Sequence, residues 1–122
     1  MLRLSLVAAA SVLLLSSAAF AAPMEKGGVL VDDQGMTLYT FDKDEAGKSN
    51  CDGACLANWP AAMVKDGEGA HGEFSVLSRA DGTKQWAYDG KPLYRWAKDA
   101  KPGDMTGDGI KGVWHVVKKS GY

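Results

Sequence analysis

Histidine and cysteine are scarce in this sequence, with two of each among 122 residues. Neither His71 nor His115 has a Ser or Cys partner at a recognisable spacing, so nucleophilic catalysis finds no support. The cysteines stand four positions apart in CDGAC, residues 51–55. The C-x-x-C pattern of redox proteins and the C-x-x-C-H pattern of haem attachment are both absent. Excess charge is missing as well. The formal net charge is −1, and acidic and basic residues are interspersed rather than blocked. That argues against a nucleic-acid or anionic-membrane partner and for an ordinary solvated surface. Beyond the first 21 residues the aliphatic runs are short and glycine is abundant, which favours strands and tight turns over long helices.

The opening MLRLSLVAAASVLLLSSAAFAAP combines Arg3, an apolar run and a small-residue end. Ala19-Phe20-Ala21 matches an A-x-A cleavage signal, which predicts a leader over 1–21 and a mature chain from Ala22. The run is short for a spanning helix and no stop-transfer pattern follows, so no stable membrane anchor is expected after cleavage. Without the leader 101 residues remain, with 13 basic and 15 acidic side chains and a charge of −2. That is enough for one domain over 22–122, exported to the periplasm or secreted.

The mature chain repeats itself. LYTFDKD at 38–44 returns as LYRWAKD at 93–99. The interval from Asp44 to Trp59 equals that from Asp99 to Trp114, and both intervals are rich in Gly and Asp. Asp52-Gly53 and Asp108-Gly109 correspond with a one-residue slip. Landmarks matched at one offset indicate duplication, with units at approximately 29–64 and 84–119 sharing one core.

Each unit reads as a hairpin. DDQG and Asp89-Gly90 fall between apolar runs, a strong short-range hairpin signal. A period of two places Tyr39 with Phe41, and Tyr94 with Trp96, on one face, and turns Leu38 and Leu93 to the other. FSVLS (74–78) and VWHVV (113–117) add strands, and ACLANW (54–59) predicts a short helix stopped by Pro60. The predicted fold is mostly β, two pseudo-repeated hairpin units around one core.

The candidate site residues divide into three groups. In the repeated motif, Tyr39, Phe41, Tyr94 and Trp96 supply rings for a shared core or, if exposed, for a sugar- or peptide-binding surface. Asp44 and Asp99 stand where the chain enters a Gly-rich connection, and a carboxylate there can accept backbone N–H groups and fix the turn. DKDEAG from Asp42 also resembles the start of a Ca²⁺ loop, with Asp42 and Asp44 as ligands, but lacks the acid at the twelfth position. Cys51 and Cys55 form the third group. In an exported protein the pair predicts a disulfide. It requires a loop or distorted turn, because residues four apart on a regular helix stand too far apart. As thiolates the two would suit copper, with His71, His115 or a Met completing the shell.

Together these stretches resemble a family of exported bacterial proteins carrying a Tyr-x-(Phe/Trp/Tyr)-x-x-Asp motif, described as predicted lipoproteins or secreted repeats of unknown function. The motif occurs twice, at Tyr39–Asp44 and Tyr94–Asp99. CDGACLANWP and GDMTGDGIKGVWHV are similar to the stretches that follow it in the family. The resemblance covers nearly all of the mature chain and implies export without an activity. The leader lacks a lipobox Cys, so lipid anchoring does not carry over. The expected role is that of a non-catalytic binding or envelope-associated domain, whose partner is an envelope protein or a small ligand, with no cofactor. The alternatives are a copper or thiol-redox accessory built on Cys51 and Cys55, and a Ca²⁺ module built on the Asp-rich turns.

Overall fold

The computed structural model describes residues 22–118, so the leader and its cleavage signal lie outside the described residues. Strands dominate: β1 (Met24–Lys26), β2 (Val29–Val31), β3 (Tyr39–Phe41), β4 (Phe74–Ser78), β5 (Lys84–Tyr88), β6 (Lys91–Pro92) and β7 (Trp114–Val116). The one α-helix among the described residues is α1 (Ala54–Asn58), and Ile110–Gly112 forms a 3-10 turn. Pro60 explains where α1 stops, since the residue before proline is pushed from helical angles. Trp59 takes φ −126°, ψ 75° and leads the chain out.

All strand pairs are antiparallel. Hairpin β1–β2 aligns Met24 with Val31 across a Gly27-Gly28 turn in which both glycines have positive φ. β4, β5 and β6 form a three-stranded sheet, with Val76 opposite Trp86 and Tyr88 opposite Lys91. The β5–β6 turn is Asp89-Gly90, both at left-handed angles (φ 52° and 81°) as a two-residue hairpin turn demands.

The two halves are related by a pseudo-twofold axis that passes between Tyr39 and Tyr94. These two residues exchange backbone bonds: Tyr39 N donates to Tyr94 O at 2.8 Å and Tyr94 N to Tyr39 O at 2.9 Å. Around them the bonds come in matched pairs. Leu38 N donates to Leu30 O and Leu93 N to Trp86 O; Asp42 N donates to Val113 O and Ala97 N to Asn58 O. The final strand of each half crosses to the other. β7 pairs with β3, placing Trp114 opposite Phe41, while Ala61 bridges Tyr94 and Met63 bridges Gln85. The halves are therefore interleaved rather than stacked as separate beads.

The period of two then sorts the core into two layers, each drawing on both halves. Leu38 and Leu93 point into a cluster with Leu30, Ala62, Trp86, Tyr88 and Val117. Tyr39 and Tyr94 point the other way, among Cys51, Trp59 and Trp114. Leu38, Leu93, Tyr39 and Tyr94 are all fully buried. Burial of each such side chain contributes about 1.5–3 kcal/mol, so the heptad alone anchors both layers.

Candidate functional site at the repeat seam

The repeated tyrosines and aspartates meet, but across the halves. Tyr39 Oη donates to Asp99 Oδ2, and Tyr94 Oη donates to Asp44 Oδ2, each at 2.6 Å. The second oxygen of each carboxylate holds the loop that follows it. Asp44 Oδ1 accepts Asn50 N at 2.6 Å, whereas Asp99 Oδ1 accepts Thr106 N at 2.9 Å and Thr106 Oγ1 at 2.6 Å. Each motif aspartate thus fixes its own turn and seals the other half's tyrosine.

This environment shifts the ionisable groups. Burial, reinforced by the hydrogen bond to Asp99, pushes the Tyr39 phenol far above the ordinary tyrosine range. Burial and the bond to Asp44 do the same for Tyr94. Burial also raises Asp44, against the opposing pull of its bonds from Tyr94 and Asn50 and of the nearby Arg79 charge. Both phenols hold their protons throughout the physiological range.

Beside the tyrosines lies a column of four rings. Phe41 stacks on Trp114 with centroids 4.2 Å apart and planes within 9°. Trp114 stacks on Trp59 at 3.8 Å and 2°, and Trp59 on Trp96 at 4.1 Å and 30°. The order Phe41–Trp114–Trp59–Trp96 alternates the halves and follows the same pseudo-twofold. Tyr39 abuts Trp59 edge-on at 5.3 Å, and Tyr94 abuts Trp114 edge-on at 5.2 Å. Such pairs add about 0.5–1.5 kcal/mol each beyond the area they bury. Trp59 and Trp114 are buried, while Phe41 and Trp96 at the two ends are partly open to solvent.

Behind Tyr94 stands a polar cluster for which the sequence carried no recognised signal. Arg79 Nη1 donates to Gln85 Oε1 (2.6 Å) and Ser49 Oγ (2.9 Å), and its Nη2 donates to Cys51 O (2.7 Å). Ser49 Oγ also bonds the Tyr94 hydroxyl. Gln85 is fully buried and donates to Leu93 O at 2.8 Å. A polar residue at a core-facing strand position needs such partners, and Gln85 has them.

Cys51 and Cys55 are joined in a disulfide, their Cα atoms 5.3 Å apart. It ties the first turn of α1 to the loop before it, so the pair straddles the helix start rather than lying on one regular helix. So short a loop gains only about 2 kcal/mol from chain entropy, and the bridge chiefly sets local shape. The residues considered as metal ligands divide among separate places. Asp42 and His115 face each other at the surface (2.8 Å), Asp44 is engaged by Tyr94 and Asn50, and the cysteines are bonded together. Among the described residues no group of three or more His, Cys, Asp or Glu side chains is placed to hold a metal ion.

Several concavities open on the surface of the described residues. A groove of about 370 Å³ runs along the ring column, lined by Phe41, Trp59, Trp96 and Trp114 and flanked by Lys43 and Lys111. A second, of about 470 Å³, lies between the Lys48–Gly53 loop and Arg79–Asp81. An apolar recess of about 570 Å³ lies between Ala22–Met24, His71 and Trp86. The indole N–H of Trp86 is the one buried side-chain polar atom among the described residues without a hydrogen-bond partner.

The duplication of the chain agrees with the family comparison. The model of the Lipoprotein_15 family, described as a secreted repeat of unknown function, matches twice, at residues 22–63 and 75–118. The chain belongs to this family. The two matches coincide with the two interleaved halves, and the family's description makes this an exported protein. No curated protein and no solved structure matches the chain. No helix among the described residues is long and apolar enough to cross a membrane.

Proposed function

We propose that this protein is a non-catalytic binding module of the periplasm, released from its leader after Ala21, whose ligand seat is the groove along the ring column. The ligand is a small acidic molecule with an apolar body. The composition of the groove carries this reading. Ring edges present the positive end of the aromatic quadrupole, and Lys43 and Lys111 add full positive charges on either side. A ligand with apolar surface and a carboxylate or sulfonate satisfies both. Lys111 adds support: it is held at φ 54°, a left-handed angle that costs a non-glycine residue about 1–2 kcal/mol. Strain of this kind gathers at ligand-binding loops.

Titration with 8-anilinonaphthalene-1-sulfonate, followed through the four indole N–H resonances, tests the assignment. The Trp59, Trp96 and Trp114 signals are expected to shift together while that of Trp86 stays in place. Replacing Lys43 and Lys111 together by Ala should weaken binding about tenfold, the sum of two exposed charge contacts. A response centred on Trp86 would put the site in the recess beside His71 and overturn the assignment.

A further inference from the structure

The ring column has a property that binding does not use. Its centre is a cofacial pair, Trp59 and Trp114, 3.8 Å apart and parallel within 2°. Two indoles in that arrangement share a positive charge between them. Each member also touches, edge-on, a tyrosine whose hydroxyl is already hydrogen-bonded to a carboxylate. One end of the column is the partly exposed indole of Trp96; the other is Phe41, whose benzene ring is far harder to oxidise. The column therefore has a single redox-competent entrance, and two terminal sites where a proton acceptor waits at 2.6 Å.

We infer that this column is a one-electron relay: an oxidising equivalent entering at Trp96 passes to the Trp59–Trp114 pair and is trapped as a neutral tyrosyl radical on Tyr39 or Tyr94. The co-reactant is a one-electron oxidant outside the protein, an oxygen-centred radical or an oxidised metal complex, which meets Trp96 at the groove. It takes one electron from Trp96, and Trp59 replaces that electron across 4.1 Å. Tyr39, 5.3 Å from Trp59, supplies the next electron, and its hydroxyl proton crosses to Asp99 Oδ2. The balance is closed. The oxidant gains one electron, Tyr39 loses one electron and one proton, and Asp99 becomes a carboxylic acid. The route through Trp114, Tyr94 and Asp44 is its pseudo-symmetric counterpart. A one-electron reductant at Trp96 reverses both routes and returns the proton to oxygen.

Burial gives this arrangement its consequence. Tyr39 and Tyr94 are fully enclosed, so a radical on either is shielded from coupling with a second molecule. The phenols also stay protonated well into alkaline conditions, so electron and proton leave together rather than from a preformed phenolate. The exported module would then act as a sink for single oxidising equivalents outside the cytoplasm.

The test uses photogenerated tris(bipyridine)ruthenium(III) as the oxidant, with no ligand present, so that it reads nothing of the binding reading. In the full exported chain carrying Tyr88→Phe and Tyr122→Phe, Tyr39 and Tyr94 are the remaining tyrosines. Freeze-quenched samples should show the electron paramagnetic resonance signal of a neutral tyrosyl radical, formed more slowly in D₂O than in H₂O. Trp96→Phe, which installs the ring that the first half already holds as Phe41, should abolish most of that signal. Asp44→Asn with Asp99→Asn should leave the radical on indole. An undiminished tyrosyl signal in the folded Trp96→Phe protein, or an indole-only signal in the parent, would overturn the relay. Those two arms decide the question even if the aspartate variant does not fold.

Discussion

The two halves bury the same tyrosine in different company. Tyr39 is held by Asp99 and by the backbone N–H of Gly107, at 3.1 Å, and all three residues are buried. Tyr94 is held by Asp44 and the Ser49 hydroxyl, with Arg79 behind, so that its phenol keeps a second side-chain partner. Asp99 is 8% exposed, whereas Asp44 is only partly buried. The loops diverge in the same sense. After the residue that each aspartate holds, Asn50 or Thr106, one half continues with Cys51 and its disulfide and the other with Gly107 packed beneath indoles. Duplication preserved the strands and the reciprocal bonds, while each half found its own way to close the loop over its partner's tyrosine.

The largest expected effect separates the two aspartates. Asp99→Ala removes the acceptor for Tyr39 Oη, Thr106 N and Thr106 Oγ1 together. The buried Tyr39 hydroxyl left without an acceptor costs about 1–3 kcal/mol and the loss of both Thr106 bonds adds to it, so urea denaturation should show a loss of about 3 kcal/mol. Asp44→Ala should lose about half as much, because the Tyr94 hydroxyl keeps its bond to Ser49 Oγ and Asn50 N is exposed to water. Equal losses would mean that the two sites are energetically alike despite their difference in burial.

The glycines sharpen the contrast. A Cβ on Gly107 would fall 2.8 Å from Trp59 Cη2 and 2.9 Å from Trp96 Cγ, both atoms of stacked rings that cannot swing aside. Gly107→Ala should destabilise by about 2 kcal/mol through overpacking and perturb the near-ultraviolet circular dichroism of the column. Gly53 has open space around its Cα and only its positive φ to defend, so Gly53→Ala should cost about 1 kcal/mol.

How much of this the sequence disclosed depends on the distance over which each feature acts. The heptads, Tyr39–Asp44 and Tyr94–Asp99, carry their own alternation, so the strands, the two faces and the hairpin at Asp89-Gly90 were readable from neighbouring residues. The carboxylates' hold on their loops is likewise a local pattern. What was not readable is whom each heptad meets. Tyr39 and Asp99 are 60 positions apart and Tyr94 and Asp44 are 50, and no local pattern names a partner at that range. Matched placement announced Trp59 and Trp114 as equivalents without showing that they stack on each other. Arg79 and Gln85 lie between the repeated landmarks, where they resemble ordinary surface and strand residues, and only the fold reveals the polar cluster they build.

Titration distinguishes the halves more gently. An unfolded tyrosine loses its proton near pH 10, whereas folded Tyr39 and Tyr94 keep theirs to higher pH. Their contribution is therefore complete below about pH 10 and is lost as pH rises further, because the unfolded chain then binds fewer protons. Each phenol should add a slope of up to about 1.4 kcal/mol per pH unit, and Tyr39→Phe and Tyr94→Phe should each remove one share. Asp44 acts at the acid end with an unusual sign. Its folded pKa is raised, chiefly by burial, so its contribution to stability is lost as pH rises through that value and regained on acidification. Asp44→Asn should remove this small acid-side gain.

The central claim is that each half's tyrosine is sealed by the other half's aspartate, and a double-mutant cycle tests it directly. Stabilities of Tyr39→Phe, Asp99→Asn and the double variant should yield a coupling of about 1 kcal/mol or more between these contacting groups. The same cycle for Tyr39→Phe with Asp44→Asn, the pair within one heptad, should yield a coupling near zero. Coupling within the heptad and none across the halves would contradict the reciprocal seal and the interleaved fold built on it.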